Sequence, residues 1–222
     1  MSTVLSSVGD DRWTQVPATW ATYVRLLRDR GEQGRPKYTY IHRRLTIVSP
    51  GLLHEILKNR VGGLIEDICV GLRIPFMGFG ETTYEKTRHG RAGTEADESY
   101  YLTHIEEMRG KERVVMGEDH APDIVVEVVF SHPADDSLEV YRRFGVREVW
   151  ICDRSELYFL ALGADGRYAA SATSKCLPFL TSAELTPWAY RQDLRDESEV
   201  RFLFRAWVNE TLAPRHRKIG GN

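Results

Sequence analysis

Pro122-Asp123-Ile124-Val125-Val126-Glu127-Val128-Val129-Phe130 is the stretch that decides the fold. From Ile124 to Phe130 it is apolar apart from one residue, Glu127. A strand that is apolar at successive positions has both faces covered, as in the interior of an α/β sheet. Downstream, residues 135–144 read as a short helix stopped by Gly145, and residues 147–152 read as a second strand. Two strands joined by a helix of this length form a crossover unit and run parallel.

Outward from this unit the pattern stays mixed. Residues 19–30 carry Trp20, Tyr23, Val24 and Leu27 at helical spacing, an amphipathic N-terminal helix. The dozen residues before it look disordered. Residues 38–48, rich in aromatic and β-branched residues, predict one or two strands. Ser49-Pro50-Gly51 opens a helix whose stripe is Leu53, Ile56, Leu57, Val61, Leu64, Ile65, Ile68 and Leu72. Gly62 and Gly63 in its middle imply close backbone packing against an unknown partner. Strands are expected at 74–83, 94–103 and 112–116. A hairpin is expected at 156–162 and 167–174 around Asp165-Gly166. Residues 193–212 read as a C-terminal helix with Phe202, Leu203, Ala206 and Trp207 inward, followed by a solvated basic tail.

The chain of 222 residues suits one medium domain with trimmings, able to bury roughly 70% of its unfolded surface without a staple. A formal charge of -2 excludes an overall basic field that would draw the whole chain to nucleic acid. Three scattered cysteines, Cys69, Cys152 and Cys176, argue against a disulfide framework or a zinc site. With no signal-like start and no long apolar run, the expectation is a cytoplasmic protein without a membrane partner.

Glu127 is the chemical anomaly. A carboxylate inside a covered strand is costly unless a metal, a basic side chain or a proton pairs with it. The competing reading is a structural ion pair to an arginine. Asp123 shares its strand face but is too far along to hold the same ion unaided; turn capping after Pro122 competes with a site role. Asp97 meets Glu127 if their strands are neighbours. Such carboxylates with a backbone carbonyl form the oxygen shell that magnesium or manganese prefers. His54 is either a core histidine with its hydrogen bond satisfied or a residue at the edge of an active cleft. Arg142, Arg143 and Arg147 either contact phosphates or cover the surface with solvated charge.

AGTEADESYYL, GKERV, APDIVVEVVFSHPADDSLEVYRRFGVREVWICD and the closing LPFL resemble the Uma family of endonucleases, a branch of the PD-(D/E)XK, restriction-endonuclease-like superfamily. The resemblance runs from about His42 to Trp188. It implies an α/β (α+β) fold with a central mixed sheet flanked by helices. It divides the chain into an N-terminal tail and helix (1–36), a nuclease-like domain (37–190) and a C-terminal helix with basic tail (191–222). It further implies a site in which Asp97 and Glu127, with the carbonyl of Val128, hold Mg2+ or Mn2+. Beside what the resemblance implies, Asp123 and His54 are expected to support that shell or orient water, and Arg142 and Arg143 to contact DNA. By analogy with nucleases that cut duplexes in pairs, a homodimer is expected.

One position departs from the family. The residue after Glu127-Val128 is Val129 rather than Lys. The alternative family position, one helical turn before Tyr141, holds Ser137. Lys58, Arg142 and Arg143 are the cations considered as replacements. The expected function is therefore a metal-dependent DNA endonuclease. The alternatives are a catalytically weakened nucleic-acid-binding or regulatory relative and a sheet-centred interaction module.

Overall fold

The computed structural model of the protein describes residues 11–31, 34–88, 90–193 and 196–220. Among the described residues, twelve strands form two six-stranded mixed sheets, flanked by helices. The mixed α/β architecture agrees with the sequence, but the single central sheet becomes two. The cause lies in residues 94–103, expected as one strand. They form β6 (Ala92–Glu95) in one sheet and β7 (Glu98–Tyr101) in the other. The chain changes sheets at Ala96-Asp97.

The first sheet begins with β1 (Arg12–Pro17), which pairs antiparallel with β3 (Arg44–Ser49), itself paired with β2 (Lys37–Ile41). The β2–β3 hairpin turns through His42 and Arg43, both at positive φ, as a tight two-residue hairpin requires. β6 then pairs with β2 and with β5 (Thr83–Lys86), whose outer neighbour is the parallel β8 (Val114–Val115). The region 74–83 is thus mostly not strand; β4 (Met77–Gly78) is its short sheet segment. Helix α1 (Trp20–Arg30) packs Tyr23 against Trp20 and Tyr40. The expected disorder of the first dozen residues falls mostly on 1–10, outside the described residues. Asp11 is fully buried and Arg12 already belongs to β1.

The second sheet carries the crossover unit. β9 (Ile124–Val128) and β10 (Glu148–Cys152) are parallel, joined by α4 (Asp135–Phe144). β10 continues antiparallel into β11 (Leu157–Leu162) and β12 (Tyr168–Ser171), the expected hairpin. β7 flanks β9 on the other side and pairs with β4. All five β9 residues are buried. Ile124, Val126 and Val128 face a core with Leu64 and Ile68 of α2 (Leu52–Gly71), whereas Val125 faces one containing Tyr141 of α4. Glu127 shares the parity of Val125 and so lies on the α4 side.

Helix α2 has a shifted stripe. Leu57, Val61, Leu64, Ile65 and Ile68 are buried as expected, but Leu53 and Ile56 are 54% and 43% exposed. At Gly62 an added Cβ would stand 2.9 Å from the Tyr100 hydroxyl, and at Gly63 it would strike the Arg201 guanidinium. These are the partners that the glycines admit. Helix α5 (Ser182–Ala189), not anticipated from the sequence, covers β11. The C-terminal helix is α6 (Glu197–Trp207), then a π-helical turn over Val208–Leu212, then α7 (Ala213–Lys218). Its inward face is Val200, Phe204, Val208 and Leu212. Phe202 is 74% exposed and Leu203 also faces out, which corrects the expected register there, whereas Trp207 packs against the core as expected. Asp67 fixes that register by binding Arg201 and Arg205. Most of the basic tail is exposed, with Arg215 paired to Glu184.

Two predictions follow from this packing. The fully buried Glu148 accepts from Trp150 Nε1 (2.8 Å), Ser174 Oγ (3.0 Å) and the amides of Lys175 and Cys176 (both 2.9 Å). Glu148→Ala strands four donors, so urea unfolding should show a loss of about 3 kcal/mol or more. Glu98 on β7 is raised from the usual 4.5 to about 7, by burial first and then, against Lys58, by Asp97 and Glu66. Ionising it therefore costs the folded state. The penalty is absent below pH 4.5, where both states are protonated, and complete above pH 7. Glu98→Gln should raise the melting temperature at pH 8 and leave it unchanged at pH 4; an equal shift at both would refute the assignment.

Candidate active site

The sheet change at Ala96-Asp97 creates the site. β7 and β9 are antiparallel, with Glu98 opposite Val126. One position further along that register, Asp97 comes opposite Glu127. The Asp97 amide donates to the Val126 carbonyl (3.3 Å), and the Val128 amide donates to Asp97 Oδ2 (2.7 Å). The second oxygen, Oδ1, receives His54 Nε2 at 2.8 Å and the Lys37 ammonium. Asp97 is thus bound by three groups from three separate elements.

His54, at the start of α2, is held at both ring nitrogens, with Nδ1 3.1 Å from Asp11 Oδ2. Asp11 also accepts from the Gly51 amide (3.0 Å), and His132 Nδ1 lies 3.6 Å away. Burial alone would lower the His54 pKa, but Asp97 and Asp11 together raise it to about 9. The ring is therefore a cation between two carboxylates at neutral pH. Burial opposes the charge on Asp11 as well, and the neighbouring imidazoles of His132 and His54 together with the Gly51 amide overcome it, so its pKa falls below the ordinary carboxylate value.

Glu127 extends toward α4, where its Oε1 accepts from the Tyr141 hydroxyl. Burial first, and the neighbouring Asp97 second, raise its pKa above the usual carboxylate value. Asp97 moves the other way. Burial would raise it, but Lys37 and His54 hold it well below its ordinary value. Two carboxyl groups in one dry place with opposite shifts are the electrostatic mark of a site able to hold a cation or a shared proton.

A small pocket opens onto this group, lined among others by Lys37, His54, Asp97, Glu127, His132 and Ser137. Asp97, Glu127 and His54, predicted from the sequence, are therefore brought together, with the Val128 backbone beside them. Asp123 is not with them. It sits before the opposite end of β9, where it accepts from the amides of Leu102 and Thr103 (both 2.8 Å) and from Arg147 (3.1 Å). The capping role weighed for it matches this position, although the turn that it caps follows β7. Arg142 and Arg143 lie on the last turn of α4, both bound to Glu139. Lys58 is engaged by Glu55 and Glu81. None of these three cations lines the pocket.

Sequence reasoning missed Lys37 and Asp11. Lys37 opens β2, and the one available cue was alternation. Tyr38 and Tyr40 claim the face toward α1, which leaves Lys37 and Thr39 on the other. Asp11 gave no cue, because the residues before Trp13 carry no periodic pattern. Asp136, at the pocket rim, was also missed; Arg44, Gln15 and Thr46 hold it.

Among the described residues, one group of His and carboxylate side chains has its ligand atoms gathered closely enough for a metal ion, and it lies apart from this pocket, beyond the other end of β7. His104, Glu107 and His120 are all exposed, with ligand atoms within 4.8 Å of one another and the two imidazoles stacked at 3.6 Å. No helix among the described residues is long and apolar enough to cross a membrane.

Comparison with known proteins bears on what this site is. A search of curated proteins gave no match. Among solved structures, the chain is similar to a protein from Anabaena variabilis ATCC 29413 described as "a putative nuclease belonging to DUF820". That match has a TM-score of 0.49 and 13% identity, over 77% of this chain and 92% of that one. The family model Uma2, described as "Putative restriction endonuclease", matches residues 20–193, a span that contains Lys37, His54, Asp97, Glu127 and all of α4. By that match, over most of its length, the chain belongs to the Uma2 family.

Proposed function

We propose that the protein is a metal-dependent endonuclease that hydrolyses phosphodiester bonds in DNA. The observation that carries this reading is the facing pair Asp97 and Glu127, buried at a sheet junction and opening onto one pocket. Their oxygens fit a hard divalent ion such as Mg2+ or Mn2+, with the Val128 carbonyl as the third donor. The fit rests on the donor set, two buried carboxyl groups that line one pocket beside a strand backbone. When bound, such an ion acidifies a water and screens the charge on a phosphate.

The other residues supply position. His54 fixes the Asp97 carboxylate from one side and is itself fixed by Asp11. The Val128 amide fixes Asp97 from the other side. Tyr141 holds Glu127, so neither acid swings when substrate enters. Asp123 has no part in this arrangement, given its place at the far end of β9. A catalytically weakened relative is the second reading, favoured by one observation: Ser137 lines the pocket from α4 and carries no charge.

Supercoiled plasmid incubated with Mg2+, and in parallel with Mn2+, should be nicked or linearised, and EDTA should stop the reaction. Glu127→Ala should slow cleavage by about 100-fold or more, as loss of a group that stabilises developing charge does. Absence of cleavage with either ion would overturn the nuclease reading.

A further inference from the structure

Lys37 is a buried cation that lines the pocket. A lysine is almost never buried unless paired, since desolvating an ammonium is expensive. Lys37 is 7% exposed, and its ammonium donates to Asp97 and to the Ala96 carbonyl (3.2 Å). An ammonium has three donors, so these two contacts leave one for a ligand. It lines the same pocket as Ser137, which reaches that pocket from α4 while Lys37 reaches it from β2.

We propose that Lys37 is the catalytic cation of this site, contacting the attacking water and the phosphate from β2 in the place that a lysine at position 137 would serve from α4. The inference rests on the nuclease reading above. In the metal-free protein Lys37 balances Asp97. With a divalent ion held by Asp97 and Glu127, Asp97 would no longer need the ammonium, and Lys37 would be free to turn its charge toward a phosphate in the pocket. In the reaction, the water oxygen forms a bond to phosphorus as the bond from phosphorus to the leaving oxygen breaks. The leaving oxygen departs with that electron pair and takes a proton from solvent, and the surplus proton of the water passes to solvent. Lys37 contributes charge and a hydrogen bond and is not consumed. A point charge with rotatable donors on a flexible stem suits this turn from carboxylate to phosphate.

The test runs the full chain as wild type, Lys37→Met, Ser137→Lys and the double variant through plasmid cleavage, with Mn2+ binding measured by calorimetry. Lys37→Met should bind Mn2+ at least as tightly as wild type, because a competing cation is gone, yet cut about 100-fold more slowly. The double variant should regain part of the lost rate, which a mere counter-ion role would not allow. Wild-type cleavage by Lys37→Met would overturn the role of Lys37 and leave the nuclease reading intact. So would joint loss of cleavage and Mn2+ binding, which would make Lys37 a structural prop. A double variant as slow as Lys37→Met would overturn the equivalence of the two positions. If wild type itself does not cut, the nuclease reading fails and the catalytic role fails with it. Should Lys37→Met not melt cooperatively, Lys37→Arg takes its place. It keeps the charge beside Asp97 but loses the compact ammonium, and should cut about tenfold more slowly; an unchanged rate would overturn the proposal.

Discussion

The structure depends on one buried carboxylate. Asp97 sits where the chain leaves the first sheet for the second, and it binds Lys37 of the first sheet, His54 of α2 and the Val128 amide of the second. A fully enclosed anion is tolerated only when its lone pairs are met. Here three elements meet them, so the same contacts tie the two sheets together. Removing any one leaves a buried charge short of a partner. The site is therefore also a structural joint, and its geometry is as rigid as the packing around it. Asp11 extends the joint outward. Its grip on His54 and Gly51 anchors the segment that leads into β1 to the start of α2.

Much of the fold was legible because burial on both faces writes itself into composition. The Val and Ile run of β9, the helix of α4 and the aromatic β10 carry the crossover unit with no help from distant residues. The DG hairpin and α1 were legible for the same local reason. What was not legible depended on tertiary choices. Residues 94–103 read as one strand although Ala96 and Asp97 are poor strand formers, and pairing with different neighbours divides them there. In the C-terminal helix, Phe202 and Phe204 offer competing apolar faces. The Asp67 ion pairs with Arg201 and Arg205 select the face containing Phe204, and no local pattern encodes that selection.

The site divides along the same line. Asp97 and Glu127 stood out as an acid before a strand and an acid inside one, and the family resemblance sharpened their roles. His54 was readable as an inward polar residue, yet its partner Asp11 was not, since 43 residues separate them. Asp123 was drawn in by sharing a strand face with Glu127. Parity settles the face but not the height along the strand, and height excludes it from the pocket. Lys37 was passed over for a related reason. The cations weighed were Lys58, Arg142 and Arg143, whereas the ammonium in the pocket comes from 60 residues before Asp97.

That last miss has a physical explanation that also bears on how such sites are built. A pocket between two sheets and a helix is bordered by several elements at similar distances, so a charge required at one point can be delivered from any of them. Residue 37 on β2 and residue 137 on α4 line one cavity. The requirement is set by the carboxylate pair and by the phosphate chemistry proposed for it, not by chain position. The backbone of β2 carries Lys37 inward because Tyr38 and Tyr40 are pledged to α1, which turns the alternate face toward Asp97. The packing of an N-terminal helix thereby decides where the ammonium that lines the pocket stands, although its residue is remote from the Glu127 motif in sequence.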